Sequence, residues 1–411
     1  MLTKFPNKMP AMRIAILATH PIQYNAPLFR ELASRQSVDP RVFYSWKGTE
    51  TSIDPEFGRT IKWDIPLLEG YPWEMVPNVS RDEGTHHFGG LNNPDMNRRV
   101  EEWNPDALLV YGWAWRTHLK AMRYFKGRVP VILRGDSTLM TSNKAWWKRL
   151  FRKPALQWVY SNVDFALSPG QQNHAYLRAM GMPENRIRWM PHAIDTQRFS
   201  PNIDVYQAGA DQIRRDNGIA SDAHTYLFAG KLVLRKDVDT LLVAFRKLVA
   251  KYPRARLLIA GDGPERQRLQ AITADLPQVT FLGFRNQAEM PAVYLAGDTV
   301  VLPSRNETWG LAVNEALSLA RTVVASDRVG AAPDLLAGKP YARVFACGQA
   351  SGLENALQEF LVDRSTLVKL GSLAREDSAA WSIPAAADSV LELLWEIADL
   401  RCPPARDGYS S

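Results

Sequence analysis

The chain has 411 residues, 46% of them apolar and 23% charged, with a formal net charge of +7 and an isoelectric point near 9.3. That length exceeds what one hydrophobic core supports and predicts two domains. No apolar run approaches the ~18 to 20 residues of a membrane span, and two distant cysteines, Cys347 and Cys402, exclude a disulfide framework and fit a reducing cytoplasm. The basic balance admits anionic partners without choosing among nucleotides, phosphorylated lipids and nucleic acid.

Residues before Met12 read as a loose tail. The stretch IAILA that follows is too short for a secretory signal and has no small-residue cleavage site. One pattern then repeats: short apolar runs end in Gly, Ser, Asp or Lys, and amphipathic stretches follow. The runs are RIAILATHP, ALLVYGW, PVILRGDS and DFALSPG, then TYLFAGKL, ARLLIAGDGP, TVVLPSRNE and TVVASD; TLLVAFRKLVAKY (240–252) is one of the helix-period segments between them. Such runs suit strands buried on both faces, and their alternation with helices predicts α/β domains with parallel sheets. Ligands of such sheets bind beyond the carboxyl ends of the strands. The pattern lapses around 196–224, a polar stretch with no clear strand. The boundary is therefore placed near residue 200. One Rossmann-like domain covers 1–200 and a second 201–380; a closing helix in 381–400 crosses back to the first domain, and 401–411 is a tail.

Polar residues at the predicted strand ends are the candidate site, and each has a plainer reading beside the functional one. His20, Gln23 and Tyr24 open the first helix, where they could line a cleft; a satisfied structural histidine fits as well. Asp136 in VILRGDSTL could meet a ligand past a strand end or cap a turn. KAWWKRLFRK (144–153) has five basic residues and no acidic one around an apolar stripe. It fits an anionic membrane surface, or a core-packing helix with a basic outer face. Trp103, Trp113, Trp115, Trp146 and Trp147 add aromatic surface that would suit stacking on a ligand or resting at a membrane.

In AGKLVLRKDVDTLL (229–242), Lys231, Arg235 and Lys236 crowd the loop before a helix whose N-cap is read as Asp239. Cations there can hold a diphosphate or be solvated surface charges. Asp-Val-Asp at 237–239 mimics a metal motif, but the capping reading predicts no metal. Gly261 and Gly263 allow a tight strand-to-helix turn. In LPSRNETWGLAVNEAL, Glu307 falls in a loop, Gly310 near a helix start, and Glu315 two turns on. Free amides at 309–311 can receive an anion, and a carboxylate accepts two hydrogen bonds from the adjacent hydroxyls of a ribose or hexose. The plainer reading is a capping Glu307 and a solvent-facing Glu315. Apart from His86 and His87 the histidines are scattered, and no H-E-x-x-H, Cys-x-x-Cys, G-x-S-x-G or Walker A motif occurs.

Taken in order, these blocks resemble glycosyltransferase family four, over roughly 12–400 and most closely over 225–335. FAGKLVLRKDVDTLLVAF is similar to the family's Gly-Arg-Leu…Lys-Gly segment. LLIAGDGPERQRL and VTFLGFRNQAEMPAVYLAGDTVVLPS resemble its next two blocks, and ETWGLAVNEAL its Glu-x7-Glu signature. DFALSPGQQNHAYLRAMGMPENRIRWMPHAIDTQRF resembles its stretch before the hinge. The resemblance implies a GT-B fold, two Rossmann-like domains facing each other across a cleft. It implies a retaining, metal-independent hexosyltransferase with no cofactor, fed by a nucleotide diphosphate sugar (a UDP- or GDP-sugar). Lys231 and Lys236 would hold the diphosphate, Glu307 a hydroxyl of the transferred sugar and Glu315 the ribose hydroxyls. Gly230, Thr308 and the backbone of Trp309, Gly310 and Leu311 would support sugar and phosphate, with Phe284 and Arg285 beside the base. His20, Gln23 and Tyr24 would form the acceptor-side wall.

The sequence departs from the family in named places. Lys231 stands for the usual Arg, keeping charge but losing the bidentate fork. Asp237 replaces a Gly, which sets a negative charge beside the phosphate site unless the carboxylate points away. RGDS occupies the place of the usual catalytic His, leaving Asp136 the nearest candidate, and His192 stands for an Asn. The acceptor is read as a glycan, a lipid-linked one of bacterial surface polysaccharide assembly, met on the cytoplasmic face of the membrane through 144–153. A small secondary metabolite is the alternative acceptor, and nucleic acid is not an expected partner. A nucleotide-sugar epimerase and a catalytically silent binding subunit are the rivals from other classes.

Overall fold

The apolar runs become strands of two parallel sheets. The computed structural model describes residues 11–48, 62–141, 146–198 and 203–401; the side chains of 141–152, and with them nearly all of the basic-aromatic segment, lie outside the described residues. In the first half the strands are β1 (Met12–Ala18), β2 (Val38–Tyr44), β3 (Trp73–Met75), β4 (Ala107–Tyr111), β5 (Val131–Arg134), β6 (Phe165–Ser168) and β7 (Ile187–Trp189). They form one sheet in the order β3-β2-β1-β4-β5-β6-β7. The second half supplies β8 (Thr225–Ala229), β9 (Arg256–Ala260), β10 (Val279–Gly283), β11 (Thr299–Leu302), β12 (Thr322–Ser326) and β13 (Ala342–Phe345), ordered β10-β9-β8-β11-β12-β13. Helices cover both faces, so the central strands are apolar throughout: Ile14 to Leu17 and Leu257 to Ile259 are fully buried.

In each sheet the chain reverses direction of travel beside its first strand. β1 lies between β2 and β4, and β8 between β9 and β11. Loops leaving β1 and β4, or β8 and β11, therefore diverge and open a crevice at the carboxyl edge. Polar composition concealed β2, whose sequence is VDPRVFY. Its Pro40 is tolerated because β3 pairs only with Val42 to Tyr44, so Pro40 lies where β2 has a single neighbour.

The polar stretch after residue 196 is organised by burial of one arginine. The helix Ile203–Asp216 packs on Met290–Ala296 of the second half. From it Arg214 donates to the carbonyls of Ala296, Ala220 and Ala223 at 3.1, 3.0 and 2.7 Å. The last helix, Ile383–Arg401, belongs to the other core: Ala387, Val390 and Leu394 pack with Ile14, Phe29 and Leu109, and Glu396 pairs with Arg188. Segments therefore cross between the halves twice. Further links are the parallel bridge Ile194–Ser382 and the Gln171 amide, which donates to Asp334 at 3.2 Å. At Gly170 a Cβ would run into the Trp309 ring, so the halves approach more closely there than any side chain permits.

The segment 144–153 falls in the helix Trp146–Tyr160 from residue 146 on. No helix among the described residues is long and apolar enough to cross a membrane. Trp103 does not offer a stacking face: it is buried edge-on to Phe43 with the Arg13 guanidinium over its ring.

Candidate active site

The cleft floor is built where two strand-end loops press together. β8 ends at Ala229, and Gly230 donates to the Ala260 carbonyl at 2.9 Å while Leu232 donates to Asp262 at 2.8 Å. Gly261 has φ +150, and a Cβ there would overlap the Gly230 carbonyl oxygen. Only glycine permits this contact. The chain then makes a 3-10 turn, Leu234–Lys236, and enters the helix Val238–Lys251.

The junction corrects the expectation for Asp239. The residue at the N-cap position is Asp237, in the left-handed region at φ +51, and Asp239 lies in the first turn, held by both terminal nitrogens of Arg268 at 2.7 Å. Asp237 also resolves its own oddity. A glycine is the natural residue at positive φ. Here the aspartate is 2% exposed, accepting from Thr240 Oγ1 and Arg305 Nη2 at 2.8 Å each. Its charge is neutralised away from the cleft.

The loop after β11 supplies the facing carboxylate. Its course is fixed by backbone bonds from Arg305 to the Arg235 carbonyl (2.8 Å) and from Gly330 to the Glu307 carbonyl (2.9 Å). Glu307 Oε2 forms an ion pair with Lys236 Nζ. Both side chains are about 15% exposed, so this pair is far less screened than a surface one. Gly310, at φ +99, caps the helix Leu311–Ser318, and the Gly310 and Leu311 amides have no backbone acceptor among the described residues. The helix then carries Glu315 inward. Its Oε2 accepts from the Tyr294 hydroxyl at 2.6 Å, and the whole carboxylate is buried. Burial raises the carboxyl above its usual range, against the Tyr294 bond, the charge of Arg198 and a hydrogen bond from Tyr24.

The first half closes the cleft from the other side. Asp136 accepts from Thr308 Oγ1 at 3.1 Å across the gap. The Trp309 indole donates to Asn314 (2.9 Å), and Asn314 donates to the His192 carbonyl (3.0 Å). The enclosed space is about 500 Å³. Gly230, Lys231, Lys236, Phe284, Arg285, Glu307, Thr308, Trp309, Gly310, Leu311 and Glu315 line it on one side, and His20, Gln23, Tyr24 and Asp136 on the other. The sequence did not single out Tyr294, Arg198, Gln287 or Trp63. Tyr294 and Arg198 act on Glu315, and Gln287 and Trp63 line the wall. Tyr294 sits inside an apolar helix and Arg198 in a polar linker, so neither carried a local signal.

His20 is held neutral. Its Nδ1 meets Thr19 Oγ1 at 2.9 Å, and burial lowers its pKa to about 4. Burial does the same to His118 and His224. Between pH 6.5 and 4 the unfolded chain binds protons that the native chain refuses, so stability falls as pH drops through that window. Each imidazole is expected to cost about 2 kcal/mol at pH 5 relative to pH 7. Urea unfolding at the two pH values measures this, and equal midpoints would contradict it.

Outside the cleft, Asp82 joins His86 and His87 in an exposed cluster of three ligand-type atoms. The Gly89 amide donates to His87 Nδ1 at 3.1 Å. That leaves the ring proton on Nε2, which donates to the Asp82 carbonyl at 3.0 Å. The nitrogen facing the cluster thus offers hydrogen rather than a lone pair.

Two Rossmann-like halves facing one cleft, with lysines and carboxylates at the strand ends of the second, define the GT-B class. Two family models match in tandem, "Glycosyltransferase Family 4" over residues 30–198 and "Glycosyl transferases group 1" over 209–377. The chain belongs to this glycosyltransferase family. It is 28% identical over 239 residues to the sulfoquinovosyl transferase of Arabidopsis thaliana, covering 57% of this chain and 45% of that protein. It is 30% identical over 265 residues to a D-inositol 3-phosphate glycosyltransferase of Corynebacterium jeikeium, covering 62% and 61%. The chain thus spans about half the length of the curated relatives it matches. A crystal structure of Anabaena HepE in complex with UDP and glucose shares the fold at a TM-score of 0.68 and 16% identity, covering 93% of this chain and 99% of that one.

Proposed function

We propose that this chain is a retaining, metal-independent hexosyltransferase that moves a sugar from a nucleotide diphosphate donor to a hydroxyl of a lipid-linked glycan. The observation that carries the donor half is the Lys236–Glu307 pair on the same cavity wall as the buried Glu315 carboxylate. Lys231 and Lys236 suit a diphosphate, Glu307 a sugar hydroxyl, and Glu315 the ribose hydroxyls, with Phe284 and Arg285 beside the base. The amides of Gly310 and Leu311 suit a phosphate oxygen.

In the proposed step the acceptor oxygen bonds to the anomeric carbon as the bond from that carbon to the β-phosphate oxygen breaks. Attack comes from the face that the diphosphate leaves. The acceptor's proton passes to the departing phosphate, so no protein base is required and Asp136 need only orient the hydroxyl. Charge develops on the β-phosphate, where each fixed donor is worth roughly 3 kcal/mol. The lipid-linked acceptor rests on the basic-aromatic segment 144–153 and its reading as a membrane contact. Equal pelleting with anionic and neutral liposomes would count against that part.

The donor half is tested by calorimetric titration with UDP and GDP. Binding of one of the two names the donor class. A donor sugar altered with no acceptor present would mean an epimerase instead, and nucleotide binding without turnover in an acceptor screen a silent subunit.

A further inference from the structure

Beside the cleft lies a second cavity of about 330 Å³ at the carboxyl edge of the first sheet. It shares Ile22, Tyr24, Asp136, His192 and Leu311 with the donor-side cavity, so the two adjoin. Its walls are mainly apolar. Against them stands Arg134, the last residue of β5, only 6% exposed. The Arg134 guanidinium donates from Nη1 to the Gly135 carbonyl at 3.0 Å. Its Nε is buried without a partner, and no carboxylate forms an ion pair with it among the described residues. Asp136, which shares the cavity wall, lends Arg134 its charge without forming an ion pair and accepts from Thr308 across the cleft. Tyr111 is the register partner of Arg134 on β4, so both side chains leave the sheet on the same face. Its hydroxyl is likewise buried without a partner.

A desolvated guanidinium with no direct ion pair is expensive, and buried donors without acceptors are uncommon. Two such donors side by side on one cavity wall suit an acceptor from outside the chain. We infer that this cavity binds the acceptor substrate through an oxyanion, a phosphate or carboxylate, received by Arg134 and Tyr111. The volume holds a group of about one sugar ring carrying that anion. This rests on the reading of the neighbouring cleft as the donor site; there, such a group would present its hydroxyl past Asp136. His192, on the shared wall, stays neutral because burial and the Arg134 charge both oppose its protonation. It therefore adds no second cation.

The test uses the full chain carrying Lys236→Ala, so that anions gain little from the donor site. Melting temperature is followed against inorganic phosphate and acetate, with sodium chloride at matched ionic strength as the reference. The expected result is a saturable rise with midpoint in the millimolar range, at least about 10-fold weaker after Arg134→Gln. Tyr111→Phe removes only the hydroxyl and is expected to weaken binding several-fold, which keeps the question open to test should Arg134→Gln fail to fold. A stronger response to phosphate assigns a phosphorylated acceptor, and to acetate a carboxylated one. An equal response in parent and variants, or none in the parent, overturns the inference. UDP and GDP are titrated alongside into the wild-type chain. Nucleotide binding with no Arg134-dependent anion response sinks this inference alone. The reverse result sinks the donor reading and upholds an oxyanion site at Arg134.

Discussion

Lys236→Ala is expected to lower sugar transfer by about 100-fold or more and to weaken nucleoside diphosphate binding, while Glu307→Ala lowers transfer comparably and leaves that binding undiminished. The asymmetry follows from the ion pair. Lys236 is the cation that would face the leaving phosphate, so removing it strips charge from ground state and transition state together. Glu307 neutralises that cation when no ligand is present. Without it, Lys236 is free for a diphosphate, and the loss falls on the sugar and hence on kcat. Calorimetry with UDP and GDP, together with turnover on the donor that binds, separates the two effects. Near-normal turnover in either variant would remove the catalytic assignment. Equally weakened nucleotide binding in both would mean that the pair acts only as a structural clamp.

Gly261→Ala is expected to destabilise the second half by about 3–5 kcal/mol and to abolish nucleotide binding. The backbone at φ +150 is one that an L side chain rarely adopts, and the new Cβ would overlap the Gly230 carbonyl. Relief requires the loops after β8 and β9 to part, and the first of these carries Lys231 and Lys236. Gly127→Ala provides the control. That glycine also has positive φ, +79, but nothing lies within 4 Å of its Cβ position, so only the conformational penalty of about 1 kcal/mol applies. Urea unfolding of the two variants measures the difference. Similar losses would show that the Gly230–Gly261 contact contributes little to the site.

Much of the fold was legible because its signal is local. A strand buried on both faces must be apolar along its length, and RIAILA, ALLVY, LLIAG and TVVL announce themselves. Edge and half-covered strands do not. β2 carries Pro40, and β3, β7 and β13 are only three or four residues long and partly exposed. The same logic divides the site. Lys231, Lys236, Glu307 and Gly310 stand at strand ends and a helix start, where position alone suggests a ligand. Arg134 closes an apolar run and read as part of a strand. Its importance comes from what is missing around it.

The α/β class, the two parallel sheets and the loops that carry cations and carboxylates were all legible in the residues alone. Those features depend on residue type and on spacing within one element or between successive ones. Tertiary structure decided everything that depends on residues far apart in the chain. It set Lys236 against Glu307 across 71 positions. It turned Asp237 away to Arg305, buried Glu315 against Tyr294, and placed Arg134 and Tyr111 on the wall of a second cavity. A side chain's charge is written in the sequence, but its partner, exposure and direction are set by which loops the sheets bring to the same edge.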